Sequence, residues 1–218
     1  MGFIDNSYNG GFRLSSILAV GAHPDDIEAG CFGTLIKHLN NEDSMNVVIT
    51  TSGGLPHRPW NVVEKEIEEA QKFLGIKYKI FNNPNGHYQM NWKTVSEIDE
   101  VIDREKVDTV YTVWHGDSHQ DHQLTYKVVL AAARKKQVKN FYCFELPDYS
   151  YRSERVFVPR RFVDISEHME SKVKAVAAFK SYFSESNIDA MIGLARHRGG
   201  AIGVKYAEAF EIIFEMWK

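Results

Sequence analysis

Apolar and polar residues follow two patterns along the chain, a short apolar run and a longer segment with helical spacing, and segments of the two kinds alternate. Short, mostly apolar runs predict buried strands, and they lie at 16–21, 45–51, 78–81, 108–114 and 140–146, with an alternating run at 207–216. Longer segments with apolar residues spaced three and four apart predict amphipathic helices, and they lie at 28–39, 62–74, 94–105, 123–136 and 166–183.

Strands that alternate with helices are typical of a parallel sheet covered on both faces. We therefore predict an α/β fold with a single doubly wound, mostly parallel, Rossmann-like sheet. Residues 1–218 are expected to form one domain, with 1–14 as a loose N-terminal arm. An extended segment is predicted over 155–165, and a basic, glycine-rich loop over 196–203.

Composition narrows the class of protein. Of the 218 residues, 44% are hydrophobic, which is enough for a full core and excludes a disordered chain. The net charge of -3 argues against nucleic acid as the main partner. Two cysteines in a chain of this length predict free thiols in a reducing compartment. With no signal-peptide pattern and no apolar run of ~18 residues, we expect a cytoplasmic protein without a membrane span.

Titratable residues follow the first predicted strand directly, in the sequence Ala22-His23-Pro24-Asp25-Asp26. Because Pro24 disfavours an ordinary helix here, His23, Asp25 and Asp26 are expected on a strand-to-helix turn. Such turns lie at the carboxyl edge of an open sheet, where ligands bind. An imidazole and two carboxylates can supply metal ligands and acid/base groups, although one carboxylate can instead cap the next helix.

A second cluster follows the predicted strand at 108–114. Residues 115–122 contain three of the chain's 9 histidines and two aspartates, a concentration that indicates a functional site. Two clusters at carboxyl strand ends can meet across the switch point of a doubly wound sheet. Together they offer His, Asp and His as metal ligands, and three protein ligands with one open position are typical of catalytic zinc.

Spacing helps to assign roles within the clusters. His23 and Asp26 are three positions apart, so both can project to one side as the helix begins. Asp25 is then free to accept a proton from bound water, whose pKa a metal can lower to about 7. His119 and His122 are also three positions apart, and Asp121 can orient one imidazole.

The loop over 51–60 leaves another strand at the same edge. It contains His57, Arg58 and Trp60, and we expect Arg58 and Trp60 to form a wall of a substrate site. A plain surface loop is the alternative.

The two motifs match a known family. The chain resembles the PIG-L/LmbE-like zinc-dependent N-acetylglucosaminyl deacetylases in Ala22-His23-Pro24-Asp25-Asp26 and in His119-Gln120-Asp121-His122, in this order. The resemblance implies that His23, Asp26 and His122 hold Zn²⁺ and that Asp25 is the general base. It further implies that His119 stabilises the oxyanion, as an imidazolium, with Asp121 as its orienting partner. A site of this type also accepts other divalent metals.

The chain departs from the family in two places. Ile27 stands where many members carry Glu, and Val63 stands where members often carry an arginine associated with substrate contact. Arg58, five residues earlier, and Arg198 are candidate replacements. For Arg198 the alternative is a contact between subunits or at a helix end.

The resemblance implies hydrolysis of an N-acetyl group from an amino sugar, either free or linked to a nucleotide, lipid or peptide. Either Asp25 or His119 would give the proton to the leaving amine. The alternatives are hydrolysis of another small amide or N-formyl group, and a catalytically inactive metal-binding regulatory protein. Asp25 favours the enzyme, because a mere binder has no need of a base. A dinucleotide-binding protein would carry a Gly-x-Gly-x-x-Gly turn after the first strand, whereas this chain has His23-Pro24-Asp25-Asp26 there. Assembly into a homo-oligomer is left open.

Overall fold

The computed structural model describes residues 14–55, 57–81, 83–135, 137–147 and 152–216. Seven strands occur within these ranges: β1 (Ser16–Gly21), β2 (Ser44–Ile49), β3 (Lys79–Ile80), β4 (Thr109–Val113), β5 (Asn140–Phe144), β6 (Arg161–Asp164) and β7 (Ala207–Glu215). Seven helices accompany them: α1 (Asp26–Gly30), α2 (Phe32–Asn40), α3 (Trp60–Gln71), α4 (Trp92–Arg104), α5 (Gln120–Ala132), α6 (Met169–Val176) and α7 (Glu185–Ile202). Apart from Leu14, the predicted arm lies outside the described residues, and the one-domain assignment stays a prediction.

The described strands form one sheet in the order β3-β2-β1-β4-β5-β7-β6. The first five are parallel neighbours, and β7 runs antiparallel between β5 and β6. The predicted mostly parallel α/β sheet is confirmed. Because the strand order reverses between β1 and β4, the carboxyl ends of these two neighbours mark the switch point.

Every residue of β1 is buried, which explains its continuous apolar run. Ile17 and Ala19 face a core that includes α1, α2, α3 and α6, whereas Leu18 and Val20 face one that includes α4 and α5. Helices therefore cover both faces of the sheet, and the switch point lies between two packed layers. No helix in the described part of the chain is long and apolar enough to cross a membrane.

The single helix predicted over 28–39 is two helices, and the first begins at Asp26. Cys31 interrupts them with φ -140 and ψ 11. A Cβ at Gly30 would come within 2.1 Å of the Phe144 ring, so this glycine allows α1 to lie against β5. Asp26 therefore belongs to a first helical turn that is held tightly against the sheet.

The loop predicted over 196–203 is wrong, because these residues end α7. Ser184 begins that helix with a capping box that it shares with Asn187, and Gly203 ends it with φ 77. A Cβ at Gly199 would lie 2.7 Å from the carbonyl oxygen of Val204. The glycine thus serves close packing of helix and chain, and its place in the sequence does not mark a turn.

Other helices and strands differ in their bounds from the sequence prediction. The helix predicted over 166–183 is only α6, which begins after His168, and the extended segment over 155–165 yields only β6. The helix expected from 123 begins at Gln120, so the end of the second cluster, with Asp121 and His122, lies in its first turn. This last shift directly affects the site.

The C-terminal third supports the first turn of α2. Glu208 of β7 accepts hydrogen bonds from the backbone N–H groups of Gly33 and Thr34, at 2.9 and 2.7 Å, and from the Thr34 hydroxyl. Its buried carboxylate also pairs with Lys172 of α6. Residues far apart in sequence therefore fix the helix that follows the first motif.

Candidate metal centre and active site

The two clusters meet at the switch point, as the sequence predicts. His23 follows β1, His122 lies in the first turn of α5 after β4, and these strands are neighbours. His23 Nδ1 lies 3.1 Å from His122 Nε2. Two imidazole nitrogens from residues that are 99 positions apart in sequence thus face one point at the carboxyl edge of the sheet.

Asp26 completes this group. Its Oδ1 lies 3.4 Å from His122 Nε2, and its Oδ2 lies 3.9 Å from His23 Nδ1. Oδ2 also accepts hydrogen bonds from the backbone N–H groups of Ala22 and His23, at 2.7 and 2.9 Å. Burial alone would raise the pKa of Asp26, but His122, His23 and these hydrogen bonds hold it well below its usual range. Asp26 is therefore a fixed carboxylate.

Carboxylates behind the imidazoles orient both rings. Asp117 Oδ2 lies 3.0 Å from His122 Nδ1, and Asp121 Oδ2 lies 3.2 Å from His23 Nε2. Since a carboxylate accepts hydrogen bonds, it favours a proton on the ring nitrogen beside it. The lone pairs of His23 Nδ1 and His122 Nε2 then face each other next to Asp26. Such an arrangement favours a cation, and the donor set fits a divalent metal.

The surroundings of His122 support this interpretation. Burial alone would lower the pKa of His122, but the neighbouring carboxylates of Asp26 and Asp117 raise it to about 10. The site thus attracts positive charge, which a proton or a metal ion can supply.

Three imidazoles gather here, those of His23, His119 and His122. Each offers a ring nitrogen, and these nitrogens all lie within 4.8 Å of one another. They form a candidate metal site, and the third member differs from the set expected from the sequence, which contains Asp26 in place of His119. The hydrogen bonds of His119 bear on this choice.

His119 is the N-cap residue of α5. Its Nδ1 accepts a hydrogen bond from the backbone N–H of Asp121 at 3.2 Å, which places the proton of a neutral ring on Nε2. Burial, His23 and His122 lower the pKa of His119 to about 4. The imidazolium expected at this position is therefore disfavoured, and the structure supports a neutral ring that donates from Nε2.

Asp121 was expected to orient His119. Its carboxylate instead contacts His23, and Oδ2 also accepts a hydrogen bond from Gly86 N at 2.8 Å. The second carboxyl oxygen, Oδ1, is buried without a hydrogen-bond partner among the described residues. The side chain that the family resemblance assigned to His119 thus contacts a different imidazole, that of His23.

Asp25 has an unusual backbone conformation. It precedes α1 with φ 124 and ψ -25, a region that residues other than glycine rarely adopt. Its carboxylate is buried, and Oδ2 lies 3.3 Å from Arg58 Nη1. Burial and the charge of Asp26 raise the pKa of Asp25 well above its usual value, although Arg58 opposes this effect. Asp25 is therefore well suited to hold a proton.

Arg58 is 5% exposed and is held from three sides. Besides Asp25, its guanidinium contacts Glu66 of α3 at 3.3 Å, and its Nε donates to Ser181 Oγ at 2.7 Å. The Tyr182 ring centroid lies 5.3 Å from its Cζ. The loop residue singled out from the sequence does reach the site, but its closest partners are carboxylates.

One pocket opens over this group of side chains. Its lining comes from both motifs, α1, the loop after β2, the segments after β3 and β5, and the segment before α7: His23, Asp25, Asp26, Ala29, Gly53, Leu55, His57, Arg58, Asn85, His119, His122, Leu146, Pro147, Ser181, Tyr182 and Phe183. The lining thus combines apolar and aromatic side chains with titratable groups, as in many small-molecule sites.

Two expected substrate residues are not in that lining. Trp60 begins α3 and is partly exposed. Arg198 lies on α7 and donates two hydrogen bonds to Glu145, at 2.6 and 2.8 Å. It lines a separate small cavity beside Lys172 and Glu208. The structure brings neither Trp60 nor Arg198 to the pocket.

Sequence reasoning gave no role to Asp117, Glu66, Ser181 or Tyr182. Asp117 lies inside the second cluster, and that position was a usable signal. Glu66 looked like one acid among many on an amphipathic helix. Ser181 and Tyr182 fell within a predicted helix, whereas the structure places them between α6 and α7.

Comparison with known proteins places these features in a family. Residues 18–133, just over half of the chain and including both motifs, match the family model PIG-L, described as GlcNAc-PI de-N-acetylase. An uncharacterized deacetylase from Escherichia coli (strain K12), YaiS, is 29% identical over 178 residues, which cover 78% of this chain and 92% of YaiS.

Two solved structures share the fold. N,N'-diacetylchitobiose deacetylase from Pyrococcus horikoshii, in complex with an inhibitor, has 21% identity and a TM-score of 0.76, with 91% of this chain and 84% of that chain covered. GalB, the 4-carboxy-2-hydroxymuconate hydratase from Pseudomonas putida KT2440, has 20% identity and a TM-score of 0.81, with 94% and 98% covered. At this identity the likeness establishes the fold alone. By its match to the family model, the chain belongs to the PIG-L family and is a deacetylase, an enzyme of the amidohydrolase type.

Proposed function

We propose that this protein is a zinc-dependent hydrolase that removes an N-acetyl group from an amino sugar or its conjugate. One observation carries the proposal: the side chains of His23, His122, Asp26 and, beside them, Asp25 lie together at the switch point. The first three supply a metal site, and Asp25 supplies a buried base beside it.

His23, Asp26 and His122 are the proposed metal ligands. His119 is left out because its Nδ1 is occupied by the Asp121 N–H, so that Nε2 carries the proton. A protonated ring nitrogen cannot bind a metal. Asp26, in contrast, directs carboxylate oxygens toward both His23 and His122. Two nitrogens and one oxygen form a set typical of catalytic zinc.

A divalent metal held by these residues would polarise an acyl carbonyl and would lower the pKa of water. Asp25 accepts the proton of the attacking water as the tetrahedral centre forms. Because burial raises its pKa, the carboxyl holds that proton stably and can pass it to the departing nitrogen. Asp25 is therefore the proposed general base and the proposed general acid.

His119 stabilises the developing negative charge on the acyl oxygen. Its neutral ring donates from Nε2, and its cap bond to α5 holds the ring orientation. Donors that are fixed before the reaction starts cost no reorganisation when charge develops. Asp121 acts through His23, whose ring it orients.

An amino sugar is the proposed substrate class for two reasons. The family model is described as GlcNAc-PI de-N-acetylase, and N,N'-diacetylchitobiose deacetylase from Pyrococcus horikoshii has a similar fold. The pocket also combines an aromatic ring at Tyr182 with polar groups at His57, Arg58 and Asn85, which suits the faces and hydroxyls of a sugar.

The test is a screen of the purified, zinc-loaded protein against N-acetylhexosamines, both free and conjugated, with release of primary amine as the readout. N-formyl and N-propionyl analogues report on the acyl group. Amine release from at least one N-acetyl sugar, absent after chelation, is expected. Release only from amides that lack a sugar would overturn the proposed substrate class.

A further inference from the structure

The pocket holds one strongly basic side chain among the described residues, and that side chain is already neutralised. Arg58 is the sole arginine in the lining, and the lining contains no lysine. Its guanidinium lies 3.3 Å from Asp25 and 3.3 Å from Glu66, in a buried setting. Of the five N–H donors of an arginine, three are used by Asp25, Glu66 and Ser181.

Glu66 is itself held in place. Ser181 donates to it twice at 2.6 Å, from the backbone N–H to Oε1 and from the hydroxyl to Oε2. The same hydroxyl accepts from Arg58 Nε. Glu66, Ser181 and Arg58 thus form a closed set of hydrogen bonds that joins α3, the loop after β2 and the segment before α7. This set directs the guanidinium toward Asp25.

We propose that Glu66 is a specificity-determining residue that neutralises Arg58, so that the pocket takes an uncharged N-acyl amino sugar and disfavours one that carries a phosphate beside the sugar. This inference rests on the proposed function. With Asp25 ionised, as a general base must be before it accepts a proton, the carboxylates of Asp25, Asp26 and Glu66 balance one guanidinium and one divalent metal. No net positive charge is left. An added phosphate would lose hydration without gaining a cation. The remaining N–H groups of Arg58 suit sugar hydroxyls.

Two other basic groups near this edge of the sheet are already paired with carboxylates. Arg198 pairs with Glu145, and Lys172 pairs with Glu208. Lys127, Arg152 and Arg155 line a separate cleft that shares no lining residue with the pocket. The sequence 148–151, which follows the pocket residue Pro147, contains neither lysine nor arginine.

The experiment compares two substrates that differ only in charge, the methyl glycoside of N-acetylglucosamine and N-acetylglucosamine 1-phosphate. For the zinc-loaded wild type we expect kcat/KM to be at least about tenfold higher for the glycoside. Hydrolysis of both with a preference for the phosphate would overturn the inference and leave the proposed function standing. Hydrolysis of neither, nor of any other N-acetyl sugar, would overturn both.

Variants of Glu66 test whether this residue is responsible. Glu66→Gln frees the charge of Arg58, and we expect the preference for the glycoside to shrink by at least about tenfold, mainly through a lower KM for the phosphate. Glu66→Asp keeps the charge and is expected to keep the preference. An unchanged preference in folded Glu66→Gln would overturn the role of Glu66.

Glu69→Gln is the matched control, because Glu69 lies on the same helix but is exposed and pairs with Lys72. It removes one negative charge without touching Arg58, so the preference should equal that of the wild type. Should Glu66→Gln fail to fold, the wild-type comparison still exposes the inference to refutation, because a preference for the phosphate would overturn it without any variant. A preference that falls equally in Glu69→Gln would mean that net charge acts, and would overturn the assignment to Glu66.

Discussion

Asp117 Oδ2 lies 3.0 Å from His122 Nδ1, and both side chains are only 1% exposed. The carboxylate fixes the ring so that Nε2 faces Asp26 and His23. Its other oxygen, Oδ1, accepts a hydrogen bond from the backbone N–H of His119 at 2.8 Å. One buried aspartate therefore sets the position of a proposed ligand and of the proposed oxyanion donor.

Replacing Asp117 with Asn should weaken metal binding. The amide removes the charge that favours a proton on His122 Nδ1, and loss of such a partner typically costs about 10–100-fold in metal affinity. The measurement is a zinc competition titration with a chromogenic chelator. Asp103→Asn, at an exposed carboxylate paired with Lys135, is the control. Equal affinity in both variants would argue that His122 needs no orienting partner.

Metal content should separate the two candidate ligand sets. His23→Ala and His122→Ala are expected to purify with little zinc, because each loses a proposed ligand. His119→Asn should retain zinc, since asparagine can still cap α5, but kcat should fall by about 10²–10³-fold through loss of the oxyanion donor. Metal analysis and turnover of the same preparations provide the readout. Loss of zinc from His119→Asn would instead favour the set of three imidazoles.

Asp25→Asn should leave the metal in place and slow the reaction. The amide keeps the shape of the side chain but cannot accept the proton of water, and kcat should fall by at least about 10²-fold. Asp26→Asn is the companion variant and is expected to lose zinc first. Zinc content and turnover are measured side by side. If Asp25→Asn turned over like the wild type, another group would have to activate the water.

The buried Glu28 should make stability depend on pH. Burial raises the pKa of Glu28 from 4.5 to about 7, although the Tyr78 hydroxyl donates to it at 2.7 Å and opposes this effect. Between these values the folded protein binds a proton that the unfolded chain does not, so stability decreases as pH rises. We expect the free energy of unfolding of the metal-free protein, relative to Glu28→Gln, to decrease by about 3 kcal/mol from pH 4 to pH 8.

Chemical denaturation of the wild type and Glu28→Gln at several pH values measures this difference. Glu28→Gln removes the titrating group but keeps a neutral side chain of similar shape. Parallel stability curves for the two proteins across this range would contradict the predicted titration.

Much of the sheet and of the proposed metal centre could be predicted because their signals are local. The run Ser16–Gly21 is buried on both faces, and a buried parallel strand needs an unbroken apolar sequence. His23, Asp26 and His122 follow strand ends, and neighbouring parallel strands bring their carboxyl ends together. The strand order therefore explains why the three proposed ligands lie close together.

The parts that could not be predicted depend on contacts between distant segments. Gly199 resembles a loop glycine in sequence, but it allows the chain near Val204 to pack against α7. Arg58 and Arg198 are both arginines that could have bound substrate. Arg58 lines the pocket beside its acidic partner Glu66, whereas Arg198 lines a separate cavity beside its partner Glu145. Such partners lie on other elements, where spacing along the chain carries no information.

The pocket draws its chemistry and its walls from different parts of the chain. Both motifs lie before residue 123, whereas Leu146, Pro147, Tyr182 and Phe183 come from the last third. That last third also holds α2 through Glu208. Substitutions at the four wall positions would therefore change the walls of the proposed substrate site without replacing a proposed reacting group. A library of variants at these four positions alone would vary the substrate site and would keep both sequence motifs unchanged.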